Sequence, residues 1–220
     1  MSIASAHPRE CRWRRRPDQR PSEILDAALR VFARRGLHRT NLEEVAKEAG
    51  ISKGTIYLYF KNKEELFVAA AQRILPSPDE MYTERHTTST TDGSLSHLLH
   101  QVARTAYRRF CTPAYLAFFS MIAAETLHHP EWGDLYFRRI ILELNRRLAE
   151  LFERAMEAGE CRKVDPMLVA RAFVGMFLIM ALSQEHLGGK KYTPLSERQV
   201  IDSLTDIFLQ GLAPAGVRQP

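Results

Sequence analysis

Cysteine is scarce in this chain of 220 residues, which holds three, Cys11, Cys111 and Cys161, far apart and without a Cys-x-x-Cys pair. That excludes a disulfide framework and a cysteine-based zinc site, and it suits a reducing compartment. Long apolar runs are also missing. The longest, residues 173–182, is too short to span a bilayer, and the first twenty residues lack the apolar core of a secretory leader, so a cytoplasmic location is expected. No segment alternates as a strand or hairpin would. There is no Gly-x-Ser-x-Gly elbow, no phosphate-cradling glycine loop and no nucleotide fingerprint, so neither an enzyme nor a cofactor is expected. Metal ligands are sparse as well. His97 and His100 lie three apart, and Glu125 and His128 have Glu-x-x-His spacing, but a di-metal bundle needs that motif twice with two further glutamates. Glu185-His186 has the wrong spacing, and no metal is expected.

What the chain does have is an uneven charge. Residues 1–63 hold 14 Lys and Arg against 7 Asp and Glu, while residues 64–220 hold 17 against 19. The front is therefore +7 and the rear −2, giving the net +5. A basic front ahead of a mildly acidic rear suits a nucleic-acid module carried by a sensing or assembly domain. Residues 1–20, with Arg12, Arg14, Arg15, Arg16 and Arg20 around Trp13 and Pro17, read as a disordered basic arm. Such an arm is either a solvated leader or a tail that lies along phosphates.

The stretch over residues 40–63 organises the rest. Thr40 with Glu43 three residues later forms a capping box, and Leu42, Val45, Ala46 and Ala49 recur at helical spacing. Gly50 ends that helix and Ser52 caps another at once, with Ile56 and Phe60 as its buried edge. Two short helices joined by so tight a turn are a helix-turn-helix. Ser52, Lys53, Gly54 and Thr55 put hydroxyls, a cation and a bare backbone on the first turn of the second helix. Tyr57, Tyr59, Lys61 and Lys63 follow. Before it, Ser22 caps a first helix with the stripe Ile24, Leu25, Ala28, Val31 and Phe32, closed by Gly36.

The string Gly-Ile-Ser-Lys-Gly-Thr-Ile-Tyr-Leu-Tyr-Phe-Lys-Asn-Lys-Glu-Glu-Leu over residues 50–66 resembles the TetR family of bacterial transcriptional regulators. The match extends back through Thr40, Gly36, Val31-Phe32 and Ala27-Ala28. The resemblance implies an all-α fold: an N-terminal three-helix helix-turn-helix domain (residues 21–66), then a helical-bundle ligand-binding and dimerisation domain (residues 67–220). Lys53, Lys61, Lys63, Ser52, Thr40 and Tyr59 are then expected to hold phosphates, Gly54, Thr55 and Tyr57 to meet base edges, and Asn41 to touch backbone or base.

Beyond the head, periodicity is helical to the end, apart from the Pro- and Thr/Ser-rich residues 76–94, which read as a loop. Asn62 with Glu65 starts a helix to about residue 75. Further helices are expected over residues 95–110, 112–127, 132–158 (ended by Gly159), 165–187 (stopped by Gly188-Gly189) and 196–210 (closed by Gly211). Residues 169–182 are apolar nearly all round, and Val200, Ile201, Leu204, Ile207 and Phe208 form a strong stripe. The resemblance implies that these last two long helices pair with their copies as a homodimer, which matches a palindromic double-stranded operator. It also implies a pocket for a small, apolar effector among Phe110, Tyr115, Phe118, Phe119, Ile122, Trp132, Tyr136, Phe173, Met176, Phe177 and Met180. The expected function is a repressor released by that effector. An activator or ligand-independent regulator, and a helical interaction protein that binds nucleic acid without sequence preference, remain open.

Overall fold

The computed structural model describes residues 20–75 and 95–214, so the basic arm and the loop expected over residues 76–94 fall outside the described residues. Among the described residues every regular element is helical. Helix α1 spans Arg20–Arg35, α2 Leu42–Glu48, α3 Lys53–Tyr57 and α4 Lys63–Ile74. In the body, α5 spans Leu95–Phe110 and α6 Pro113–His128. Helix α7, Pro130–Tyr136, runs through a π turn at Phe137–Ile141 into α8, Leu142–Glu157. Helix α9, Pro166–Ala181, ends in a second π turn, Leu182–His186, and α10 spans Glu197–Leu212.

The stops follow from backbone chemistry. Gly36, Gly50, Gly159 and Gly188 all have positive φ, the left-handed conformation that closes a helix at least cost in glycine. The starts are side-chain caps. Ser52 accepts from the Thr55 N–H, Asn62 from Glu65, Thr112 from Tyr115, and Asp165 from Leu168. Ser196 and Gln199 form a complete capping box.

Four local expectations are corrected. Helix α1 begins at Arg20, so Ser22 lies inside it and its hydroxyl meets Arg73 of α4 at 2.6 Å. The capping box of α2 is Asn41 with Glu44, not Thr40 with Glu43. Gly211 lies inside α10 rather than closing it. Counted with its π turn, the helix Pro166–His186 is 21 residues long and apolar enough, on those two measures, to cross a bilayer. The ten-residue run seen in the sequence underestimates it. In the fold it packs against α5, α8 and α10.

The head is held by buried Ile24, Val31, Phe32, Val45, Ile56 and Leu66. Ion pairs lace its rim: Glu48 takes Arg30 at 2.9 Å and Arg34 at 2.5 Å, and Arg35 pairs with Glu44. The Arg34 guanidinium, then that of Arg30, holds the Glu48 carboxyl below its usual range. These pairs bridge α1 and α2 at the surface, where each contributes little to stability. Arg73 ties α4 to α1 through Ser22 and Asp26. The far end of the body has its own aromatic core, where Phe173 lies 5.2 Å from Phe177, 5.0 Å from Phe208 and 6.3 Å from Phe152, centroid to centroid.

Candidate nucleic-acid interface and body cavity

The candidate reading surface is the outer face of α3 and the turn after it. Ser52 caps α3 with its Oγ, which also lies 2.8 Å from Thr55 Oγ1, so both hydroxyls gather at the helix start. A Cβ built on Gly54 would meet only Ser52 Oγ, at 3.9 Å. Nothing in the fold demands glycine there, which leaves a bare backbone facing outward. Lys53 pairs with Glu43 of α2 and is otherwise exposed. Tyr57, Tyr59 and Lys61 are exposed, and Leu58, at 82% exposure, stands between the two tyrosines. Leu58 was not anticipated. An apolar residue between two tyrosines reads in the sequence as core, and only the short helix shows that it faces out.

Two expected phosphate holders turn inward. Thr40 is buried and donates its hydroxyl to Gly36 O at 2.7 Å, tying the α1–α2 turn together. Lys63 donates to His38 O at 2.7 Å and lies over the Trp132 ring at 5.1 Å. Burial pulls its ammonium below the usual lysine range. Asn41 is exposed, but its Oδ1 caps α2 by accepting from Glu44 at 2.9 Å.

Lys63 belongs instead to the joint between head and body. Phe67 of α4 is the hub. Its ring lies 6.5 Å from Phe32 of α1, 5.9 Å from Phe118 of α6, and 5.6 Å and 6.4 Å from Trp132 and Tyr136 of α7. Phe118, Ile122, Trp132 and Tyr136, expected to line a pocket, are buried in or beside this joint. Large rings close-pack, so they fill space rather than leave it.

A partly open, mostly apolar cavity lies farther along, with a volume of about 200 Å³. Of the expected residues only Phe110 and Tyr115 line it, and the other walls are Leu75, Ala106, Ile141, Leu144, Asn145, Arg171, Val174, Gly175 and Leu178. Phe173 and Phe177 are dry core. Phe119 stacks on Tyr115 outside the cavity, and Met176 and Met180 are half-buried elsewhere on α9. The π turn shapes one wall. It places Ile141 and Leu144 on the cavity, and Asn145 Nδ2 donates to the Ile141 carbonyl at 2.8 Å. Arg171 lies 5.0 Å from the Phe137 ring, and among the described residues no carboxylate pairs with it. A lone arginine in an otherwise apolar helix is one sequence signal for this cavity.

The family model for bacterial regulatory proteins, tetR family, matches residues 24–70. That for the AefR-like transcriptional repressor, C-terminal domain, matches residues 97–212. The HTH-type transcriptional regulator RutR of Escherichia coli strain K12 is 26% identical over 208 residues, covering 87% of this chain and 89% of that protein. The fatty acid metabolism regulator protein of Bacillus subtilis strain 168 is 49% identical over 47 residues, covering 21% of this chain and 24% of its own length. Among solved structures, the flavonoid-responsive regulator FrrA superposes with a TM-score of 0.62 at 27% identity, covering 90% of this chain and 99% of its own.

Proposed function

Because this chain belongs to the TetR family of bacterial regulatory proteins and is therefore a DNA-binding transcriptional regulator, we propose that it is a cytoplasmic, ligand-responsive repressor. It reads a palindromic operator as a homodimer, with residues 21–66 as the head and 67–220 as the body, and a small effector in the cavity releases it. The observation that carries this reading is where the cavity lies. Leu75, the residue that caps α4, forms part of its wall, and α4 is the helix that leads back through Phe67 into the head. A ligand there acts on the end of the helix that sets the position of the head. It shifts the population only as far as it favours one body shape over the other.

The wall chemistry selects the effector. The lining is apolar except for Tyr115, Asn145 and Arg171, which suits an amphipathic acid with its carboxylate toward Arg171. A cavity of about 200 Å³ has room for one substituted aromatic ring or a short acyl chain, since about 150 Å³ already holds benzene. One relative is named for its response to flavonoids and another for fatty acid metabolism. The homodimer is supported by Leu168 and Ile179 of the apolar helix α9 and Ile207 of the amphipathic helix α10, each at least 60% exposed. On the head, Ser52, Lys53, Tyr59 and Lys61 hold phosphates, while Gly54, Thr55, Tyr57 and the exposed Leu58 face the bases.

Gly175 supplies the test. Nothing lies within 4 Å of a Cβ built there, and the residue lines the cavity. G175L therefore starts from an open Cβ position and fills part of the cavity. Selection from a random duplex pool should enrich an inverted repeat for both proteins. A panel of aromatic and short acyl acids should release only the unsubstituted chain. Release of G175L at the same ligand concentration would show that the effector binds elsewhere. Enrichment of no repeat would remove the homodimeric operator, and reporter output rising with the protein would make it an activator.

A further inference from the structure

The joint between head and body carries a cluster that neither operator reading nor effector binding uses. His38 lies in the turn between α1 and α2. His129 lies between α6 and α7, and Glu131 in the first turn of α7. The His38 and His129 rings stack, with centroids 3.5 Å apart and planes 5° from parallel. Glu131 Oε1 is 3.5 Å from His129 Nδ1. One ligand atom from each of the three residues lies within 4.8 Å of the other two.

We propose that His38, His129 and Glu131 form a site for one divalent transition-metal ion of the zinc class, bridging the head to the body. The donor set decides the class. Two imidazoles and one carboxylate suit borderline cations, and two His with one Glu is a three-ligand set that leaves the fourth tetrahedral position to water. Bonds of about 2.0–2.2 Å to such an ion bring its ligand atoms to roughly 3.3–3.5 Å from one another. Parallel stacked rings hold their in-plane lone pairs apart, so metal binding turns the two imidazoles out of the stack, a side-chain rotation that these exposed or half-exposed groups can make and that also closes the observed spread.

The backbone that presents His38 is already held. Its N–H donates to Glu125 Oε2 at 3.3 Å, and its carbonyl accepts from Lys63 Nζ at 2.7 Å. The Lys63 cation opposes a nearby metal, but it is turned toward that carbonyl and the Trp132 ring, while the Glu125 carboxylate offsets it. An open cleft of about 710 Å³ between α1 and α6 reaches both histidines and provides an entry path. His38 belongs to the head and the other two ligands to the body. The metal therefore binds the head-to-body arrangement seen here more tightly than any other, and it is linked to operator affinity by a reciprocal factor.

The test uses the full chain, stripped with chelator and titrated with Zn²⁺ by calorimetry, with Co²⁺ as a visible-absorption probe. One site per chain is expected, with the intense Co²⁺ bands of a tetrahedral nitrogen and oxygen site. H38A, H129A and E131Q should each weaken Zn²⁺ binding at least about tenfold, since even changes that leave the ligands in place cost that much. H100N alters a histidine beside Asp202 and Asp206, and C111S removes a thiol; both should leave binding unchanged. Zn²⁺ should raise the Tm of the unsubstituted chain and not that of H38A. The proposal is overturned if no saturable site appears, if H38A and H129A bind as before, if H100N or C111S abolishes binding, or if Zn²⁺ raises the Tm of H38A equally. Each readout is metal binding or melting, so none depends on the operator reading being right.

Discussion

Phe67 to Ala tests the claim that an aromatic joint, rather than the linking helix alone, couples the reading head to the body. Phe67 is fully buried, and four rings from three other helices surround it at 5.6–6.5 Å. Truncating a buried Phe costs about 3–5 kcal/mol, depending on how far the site can collapse. Here collapse is resisted. Phe32 is fixed in the α1 core, Phe118 and Tyr136 lie 5.7 Å from each other, and Trp132 is held from above by Lys63. The cost should therefore fall near the middle or top of that range, about 4 kcal/mol. At roughly 2–4 °C per kcal/mol for a chain of this size, that is a fall in Tm of about 8–16 °C. Circular dichroism melts at one fixed chain concentration are the assay, because a dimer makes Tm depend on concentration. The F67A melt should also split, with the head losing its helices before the body. A fall below about 3 °C in soluble, single-transition protein would refute the joint as a packed core, since values that small belong to surface substitutions.

The other predictions draw on single features. G36A forces a Cβ into left-handed backbone at φ +80 and against Glu125 Oε1; the carboxylate end can swing away, so the cost should be mainly the backbone's, about 1–2 kcal/mol by denaturant titration. Cys111 has its thiol pushed up to about 11 by burial first and Glu185 second. A raised folded pKa means that its stability contribution is whole below about pH 9 and lost as pH rises to 11, so urea stability should fall across that window, less steeply in C111S, and thiol reagents should react slowly at neutral pH. I179R puts a charge on the exposed apolar face of α9, and sedimentation should show a folded monomer; a persistent dimer would place the interface elsewhere. K61A should lower the salt slope of DNA binding by about one per head, whereas Y57A should relax base preference by about 1–3 kcal/mol, seen as selected sites losing consensus at one position.

Legibility was highest where chemistry is local. Asn62, Thr112, Asp165 and Ser196 act as caps where the sequence puts them, and the glycines at 36, 50, 159 and 188 stop their helices. The misplaced cap of α2 shows the limit of local rules. Thr40-Asn41-Leu42-Glu43-Glu44 contains two overlapping boxes, and spacing alone cannot choose between them. Tertiary structure chooses, because the Thr40 hydroxyl is spent on the Gly36 carbonyl and Asn41 is left to cap α2. The same logic explains the heavier failure at the cavity. Aromatic residues look like pocket walls in a sequence, yet a close-packed interior uses them as filling, as Phe67, Phe173 and Phe177 do. Space is left where side chains are small, at Ala106 and Gly175, and where the backbone changes pitch, at Ile141. That change of pitch is invisible to a search for helical period, because one added residue shifts the pattern without breaking it. Asn145 is a buried amide in that amphipathic helix, and it bonds the carbonyl one turn back, as an amide can in any regular α-helix. Small residues facing one another across the bundle, with a change of helix pitch beside them, therefore mark this cavity better than a count of rings.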